Sequence, residues 1–165
     1  MAKTKKDDDR EAVDDFVNEP SSLDELTHHE LRMMHTAATT NLLFAKNIQW
    51  RSVGSTLFIF IGLIAITQFT AAANSSKHLL PLLIIVLTCG VIFVLLMYQF
   101  WQFNEVSRVR EIEKHFSSLY NKVNGFKSRR EANTHRYTLL VFMITVVIIG
   151  AIVTSIALQQ IIALK

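Results

Sequence analysis

The spacing that comes nearest to known chemistry is Glu25-Leu26-Thr27-His28, with His29 and His35 close behind. A Glu three residues before a His puts both on one helical face, the arrangement that carboxylate-bridged di-metal bundles use. Such a centre needs the motif twice, with two further Glu aimed into the same core. Here it occurs once, and the next comparable pair, Glu111 and His115, is spaced by four. The expectation is therefore histidines on a solvated helix surface, with no metal and no cofactor. Imidazoles titrate near neutral pH, but no pattern around His28, His29, His35 or His115 marks a switch. A phosphate-binding glycine loop, a paired-cysteine site and a Ser nucleophile in a G-x-S-x-G turn are all missing from the sequence. The single cysteine, Cys89, lies in an apolar run and reads as a small filler. Catalysis is not expected.

The remaining chemistry lies in uncharged polar residues embedded in apolar runs: Thr56, Thr67, Gln68, Thr70, Thr88, Cys89, Gln99, Thr145, Thr154 and Ser155. No Asp, Glu, Lys, Arg or His interrupts those runs, which argues against a proton-coupled transporter, an acidic cation filter or a voltage sensor. Hydroxyls and amides in such a setting join neighbouring helices more often than they line pores. Gln68, Thr67, Thr88 and Gln99 are the candidate pore or helix-packing positions. The two amides are the costliest to leave in lipid.

The elements that must hold these residues are long helices. The chain of 165 residues is 50% hydrophobic yet 19% charged, with only 5 Gly and 2 Pro. That mixture arises when apolar spans alternate with charged connectors. Three runs are long enough to cross a hydrocarbon core of about 30 Å: residues 52–73, 79–103 and 137–160. The fold class expected is an all-α integral membrane protein with three transmembrane helices. The first and second continue as helices into the cytoplasm. The first span carries an amphipathic helix over 21–51, started by a Ser22–Glu25 capping box. Leu31, Met34, Ala38, Leu42, Ala45 and Ile48 recur on one of its faces. Trp50, Arg51 and Trp101 sit where polar and apolar segments meet, as interface anchors. Residues 1–20 are mostly charged and read as a mobile tail without an apolar leader.

Orientation follows from the basic residues. Seven precede the first span (Lys3, Lys5, Lys6, Arg10, Arg32, Lys46, Arg51), and only Lys77 separates the first span from the second. Eight lie between the second and third (Arg108, Arg110, Lys114, Lys122, Lys127, Arg129, Arg130, Arg136), and Lys165 alone follows. The N-terminus is expected in the cytoplasm and the C-terminus outside, in a bacterial inner (plasma) membrane.

The basic connector, 104–136, carries Val109, Ile112, Phe116, Leu119 and Val123 at steps of three and four, an a/d seam of coiled-coil type. It predicts one helix from the second span to a break at 124–128, then a second capping box, Ser128 with Glu131. That helix either stands against the first one or lies flat on anionic lipid headgroups. Nucleic acid is not an expected partner, because aromatic stacking residues are too few.

The stretch LRMMHTAATTNLLFAKNIQWRSVGSTLFIFIGLIAI (31–66) resembles the opening of SLATT-type proteins. Those are small bacterial membrane proteins with two spans and cytoplasmic helices, thought of as pore-forming effectors beside nucleotide-signalling enzymes; this chain adds a third span. The resemblance implies a self-assembling pore or membrane effector, an ion channel in the oligomer. The alternative is an accessory subunit of a larger membrane complex. Either way the partners are the bilayer and other helices, in a homo-oligomer or with another membrane protein.

Overall fold

The computed structural model describes residues 17–69, 79–125 and 129–163. The charged tail to residue 16, the end of the first span with its connector (70–78), residues 126–128 and the last two residues lie outside that set. So do the mobility expected of the tail and the Ser128–Glu131 capping box.

Four helices follow one another: α1 (Glu25–Phe69), α2 (Leu79–Glu113), α3 (Ser118–Gly125) and α4 (Arg129–Ala163). No strand occurs among the described residues. The second half of α1, the whole of α2 and residues Asn133–Ala163 of α4 are long and apolar enough to cross a membrane. No proline falls within α1, and Pro81 occupies the first turn of α2, where its missing N–H leaves no bond unmade.

The three long helices pack on one another through a repeat of three and four. In α1 the buried positions are Ala38, Ala45, Gln49, Val53, Thr56, Phe60 and Thr67; in α4 they include Leu140, Met143, Val147, Thr154 and Leu158. This spacing keeps one stripe of each helix facing its neighbours along its length, the geometry of a left-handed bundle. Val53, Leu95, Leu140, Met143 and Val147 form one core cluster, and Phe60, Ile84 and Leu158 form a second towards the far end. Gly150 sets how closely α4 approaches α1. A Cβ there would lie 2.7 Å from Leu57 Cδ2 and 3.3 Å from Phe60 Cδ2. Over the described residues these two side-chain clusters fill the space between the three helices.

Two local expectations change. The N-cap of α1 is Asp24, not Ser22: the Thr27 amide donates to Asp24 Oδ2 at 3.1 Å. Asp24 lies directly before the first helical residue, where its carboxylate reaches the amide three residues on. Hydrogen bonding by the Thr27 side chain, and then by this amide, holds its carboxyl below the usual range. The connector also breaks earlier than its periodicity predicts. α2 ends at Glu113, a turn runs from Lys114 to Ser117, and α3 restarts at Ser118. Ser117 caps the new helix, its Oγ accepting from the Tyr120 amide at 3.3 Å. Local capping by a serine outcompetes continuation of the seam. α3 ends at Gly125, inside the expected break.

We call the polar end of the bundle the head: residues 17–24, α1 up to Arg51, α2 beyond Trp101, and α3. Residues 104–113 continue α2 and stand against α1, with Val109 and Ile112 buried between them.

Candidate functional site

Three polar constellations emerge from this packing, and the sequence singled out only fragments of them.

The first is a strap. Residues 18–21 cross the α2–α3 turn, about a hundred positions away in sequence, and bind it through backbone and small polar groups. The Glu19 amide donates to Ser118 Oγ at 2.8 Å, and the Ser118 amide donates back to the Glu19 carbonyl at 3.1 Å. The Leu119 amide donates to Asn18 Oδ1 at 3.3 Å, and Ser21 Oγ donates to the His115 carbonyl at 2.9 Å. The first amides of a helix have no partner within it; here the first two of α3, Ser118 and Leu119, are satisfied by the strap and the next two by Ser117.

Beneath the strap lies an open cavity of about 740 Å³ between α1 and α3, lined by His28, Arg32, His35, Thr36, Phe116 and Tyr120 among others. Phe116 is its aromatic floor, with His28, His35 and Tyr120 rings at 5.8, 5.7 and 4.9 Å. Behind it the Tyr120 hydroxyl donates to Glu113 Oε1 at 3.1 Å and lies 3.3 Å from His35 Nε2. His35 Nε2 is 3.5 Å from the same carboxylate oxygen. Burial, then the Glu113 charge, push the Tyr120 phenol above its usual value. Glu25 and His28 both line this cavity, and among the described residues there is no group of three or more His, Cys, Asp or Glu placed to hold a metal ion.

The second constellation lies where α1 and α2 enter their apolar halves. Gln49 Nε2 donates to the Leu95 carbonyl at 3.0 Å, and Gln102 Nε2 donates to Gln49 Oε1 at 2.9 Å. Gln99 is buried beside them on α2, its Oε1 without a hydrogen-bond partner. Trp50 and Trp101 sit at this level, both partly exposed, with Trp101 edge-on to Phe44 at 6.4 Å. Arg51 is exposed.

The third is a group of cations, one per long helix. Lys46 on α1, Arg110 on α2 and Arg136 on α4 are each half-buried, and Lys46 and Arg110 both lie within electrostatic reach of Arg136. Arg136 Nη2 is fully buried with no hydrogen-bond partner. Burial and then the Arg136 charge lower the Lys46 pKa. Glu105 bonds Asn41 through Oε1 at 3.4 Å, while its Oε2 is buried without a partner. None of the three cations forms an ion pair among the described residues.

Against this geometry the sequence-predicted positions divide. Gln99 is buried at the helix junction, whereas Gln68 is exposed on the outside of the bundle. Thr67, Thr88, Thr56 and Thr154 each donate to the carbonyl four residues back on their own helix, at 2.7–2.8 Å. The four candidate pore or packing positions are not gathered at one place. The connector seam is split as well: Val109 and Ile112 pack on α1, Phe116 floors the cavity, and Leu119 and Val123 are exposed on α3. Sequence reasoning missed Gln49 and Gln102, which carry the interhelical hydrogen bonds. Their signal was their place on the buried three-and-four repeat. No protein-family model matches the chain, and neither a curated protein nor a solved structure matches it.

Proposed function

We propose that this chain is a non-enzymatic membrane protein that works by self-assembly through its head, with head and N-terminus in the cytoplasm and C-terminus outside. The observation that carries this is a second apolar stripe on α1, about a third of a turn from the face that packs on α2. Leu26 (69% exposed), Met33 (61%) and Phe44 (52%) lie along it, with Ala37 and Thr40 between Met33 and Phe44 and one charge, Glu30, between Leu26 and Met33. Met33 stands 19 positions before Ser52, about 28 Å along the helix from the start of the span. Lipid does not reach that far, and exposed apolar stripes in water mark interaction surfaces.

A second copy is the occupant that fits. Chains inserted with one orientation hold their α1 stripes parallel and at the same height, so identical residues meet across a symmetric contact. Ala37 and Thr40 are small enough for close approach at its centre. The basic residues support the orientation, seven before the first span and eight in the second connector against one in each remaining segment. A pore, on this reading, is formed between copies, since the bundle interior of one copy is filled. The resemblance of residues 31–66 to the opening of SLATT-type proteins points the same way.

The test is native mass spectrometry of gently extracted protein, comparing wild type with Met33→Glu and Leu26→Glu. Multiples of 18.8 kDa that collapse to one copy in the variants support self-assembly. A mass containing other chains makes this the accessory subunit of a larger complex. A monomer at every concentration overturns the proposal.

A further inference from the structure

We infer that Lys46, Arg110 and Arg136 form a phosphate-binding site at the inner membrane boundary, with an anionic lipid headgroup as its ligand. This rests on the orientation proposed above but not on self-assembly.

The helices bring the cations together by register. The Gln102–Gln49 bond fixes α2 against α1, and Gly150 against Leu57 and Phe60 fixes α4 against α1. Counting back along α1 and α4 from that contact places Lys46 and Arg136 at one height, a turn on the polar side of Trp50. Arg110 lies about a turn deeper in the head. Each cation belongs to a different long helix, so the group exists only in the folded bundle.

Three like charges held together and partly out of water cost free energy unless something neutralises them. Among the described residues none of the three has an ion-pair partner. Glu105 faces Asn41 and makes no ion pair with any of the three, and Arg136 Nη2 is buried with no acceptor. An external anion is what the site lacks. Its place, beside Trp50 and Trp101 where the apolar halves begin, is the depth at which lipid phosphates lie. A guanidinium offers a phosphate two parallel N–H donors while the ammonium adds a point charge. Basic pockets between helices on the cytoplasmic side bind headgroups in this way.

The test uses the full-length protein in detergent, titrated with phosphatidylglycerol, phosphatidylcholine or inorganic phosphate, and reads Trp fluorescence, bound lipid and thermal midpoint. A saturable response to phosphatidylglycerol, absent with phosphatidylcholine, is expected, with affinity about fivefold weaker for each charge removed in Lys46→Gln or Arg136→Gln. Arg136→Lys should recover part of the loss. Lys114→Gln, on an exposed cation of the α2–α3 turn, should leave affinity unchanged. Stability should change sign with the ligand: without anion, Lys46→Gln and Arg136→Gln raise the thermal midpoint by relieving repulsion, and with phosphatidylglycerol they lower it. A response to phosphatidylglycerol but not to phosphate assigns the site to lipid, and a response to phosphate alone assigns it to a soluble phosphate. Equal binding of both lipids with no phosphate response, or an equal loss in Lys114→Gln, overturns the site. A reversed orientation, read separately by the accessibility of a cysteine placed at Asn18 in sealed vesicles, would leave the phosphate response intact while removing the inner boundary from its description.

Discussion

Gln102 Nε2 donates to Gln49 Oε1 at 2.9 Å, and the same Gln49 reaches the Leu95 carbonyl with its amide nitrogen. One side chain thereby ties two points of α2, nearly two turns apart, to a single level of α1. Gln102→Leu leaves Gln49 Oε1 buried without a donor, at a cost of about 1–3 kcal/mol. Replacing both residues by Leu removes donor and acceptor together, so the double variant should lose less than the sum of the singles. A coupling of about 0.6–1.7 kcal/mol is the range expected for such pairs. Unfolding titrations of the four members of the cycle give the value; strict additivity would mean the two amides act independently.

Gly150 sits where α4 comes closest to α1, and the nearest obstacle to a Cβ is the end of a flexible side chain, Leu57 Cδ2. Gly150→Ala should therefore be nearly neutral, because Leu57 can rotate and alanine favours the helix by about 1 kcal/mol. Gly150→Leu cannot be absorbed in that way against Phe60, and overpacking should cost about 1–3 kcal/mol. Thermal midpoints of the two variants in one detergent separate the two effects.

The strap predicts a protection pattern in hydrogen exchange. The Ser118 and Leu119 amides owe their partners to Glu19 and Asn18. Deleting residues 1–19 should expose both amides to exchange and leave the Gln49–Gln102 level of the bundle protected. Ser118→Ala should give a smaller change in the same direction, since it removes one of the strap's acceptors while the backbone bond remains.

The pH dependence of head stability has two edges. The Asp24 carboxyl is held down by its bond from Thr27, so its contribution is present above the unfolded value and fades as pH falls through the lower, folded one. The Tyr120 phenol is raised by burial and by Glu113, so the folded head holds that proton more tightly than the unfolded chain. Stability should then fall as pH rises past about 10, the free phenol's value. Tyr120→Phe should flatten the alkaline edge, and Asp24→Asn should flatten the acid one. Helicity followed by circular dichroism against pH reads both.

Helix number and the apolar segments were legible because each rests on a long averaged signal: a run without charge, or a repeat sustained over many turns. What was illegible rests on single contacts. The seam through Phe116 has the right period, but Ser117 offers a cap that the period does not weigh, and Asn18 and Glu19 arrive from the other end of the chain to complete it. The polar residues show the same limit. Gln68 and Gln99 were equally conspicuous inside apolar runs, yet only Gln99 turns inward. Gln49 and Gln102 stood at the edges of their spans, where an amide costs nothing unusual until a neighbouring helix is known.

The 45 residues of α1 measure about 68 Å on a rise of 1.5 Å per residue, with no proline to act as a joint. The helix is therefore a single rod with one end in the head, directly after the strap, and the other at Phe69. A tilt of about 5° about one end carries the other through about 6 Å, on that same straight-helix length. A tilt imposed on the first turns, beside His28 and Arg32, would therefore have to be taken up by the contacts of Val53, Leu57 and Phe60 with α2 and α4.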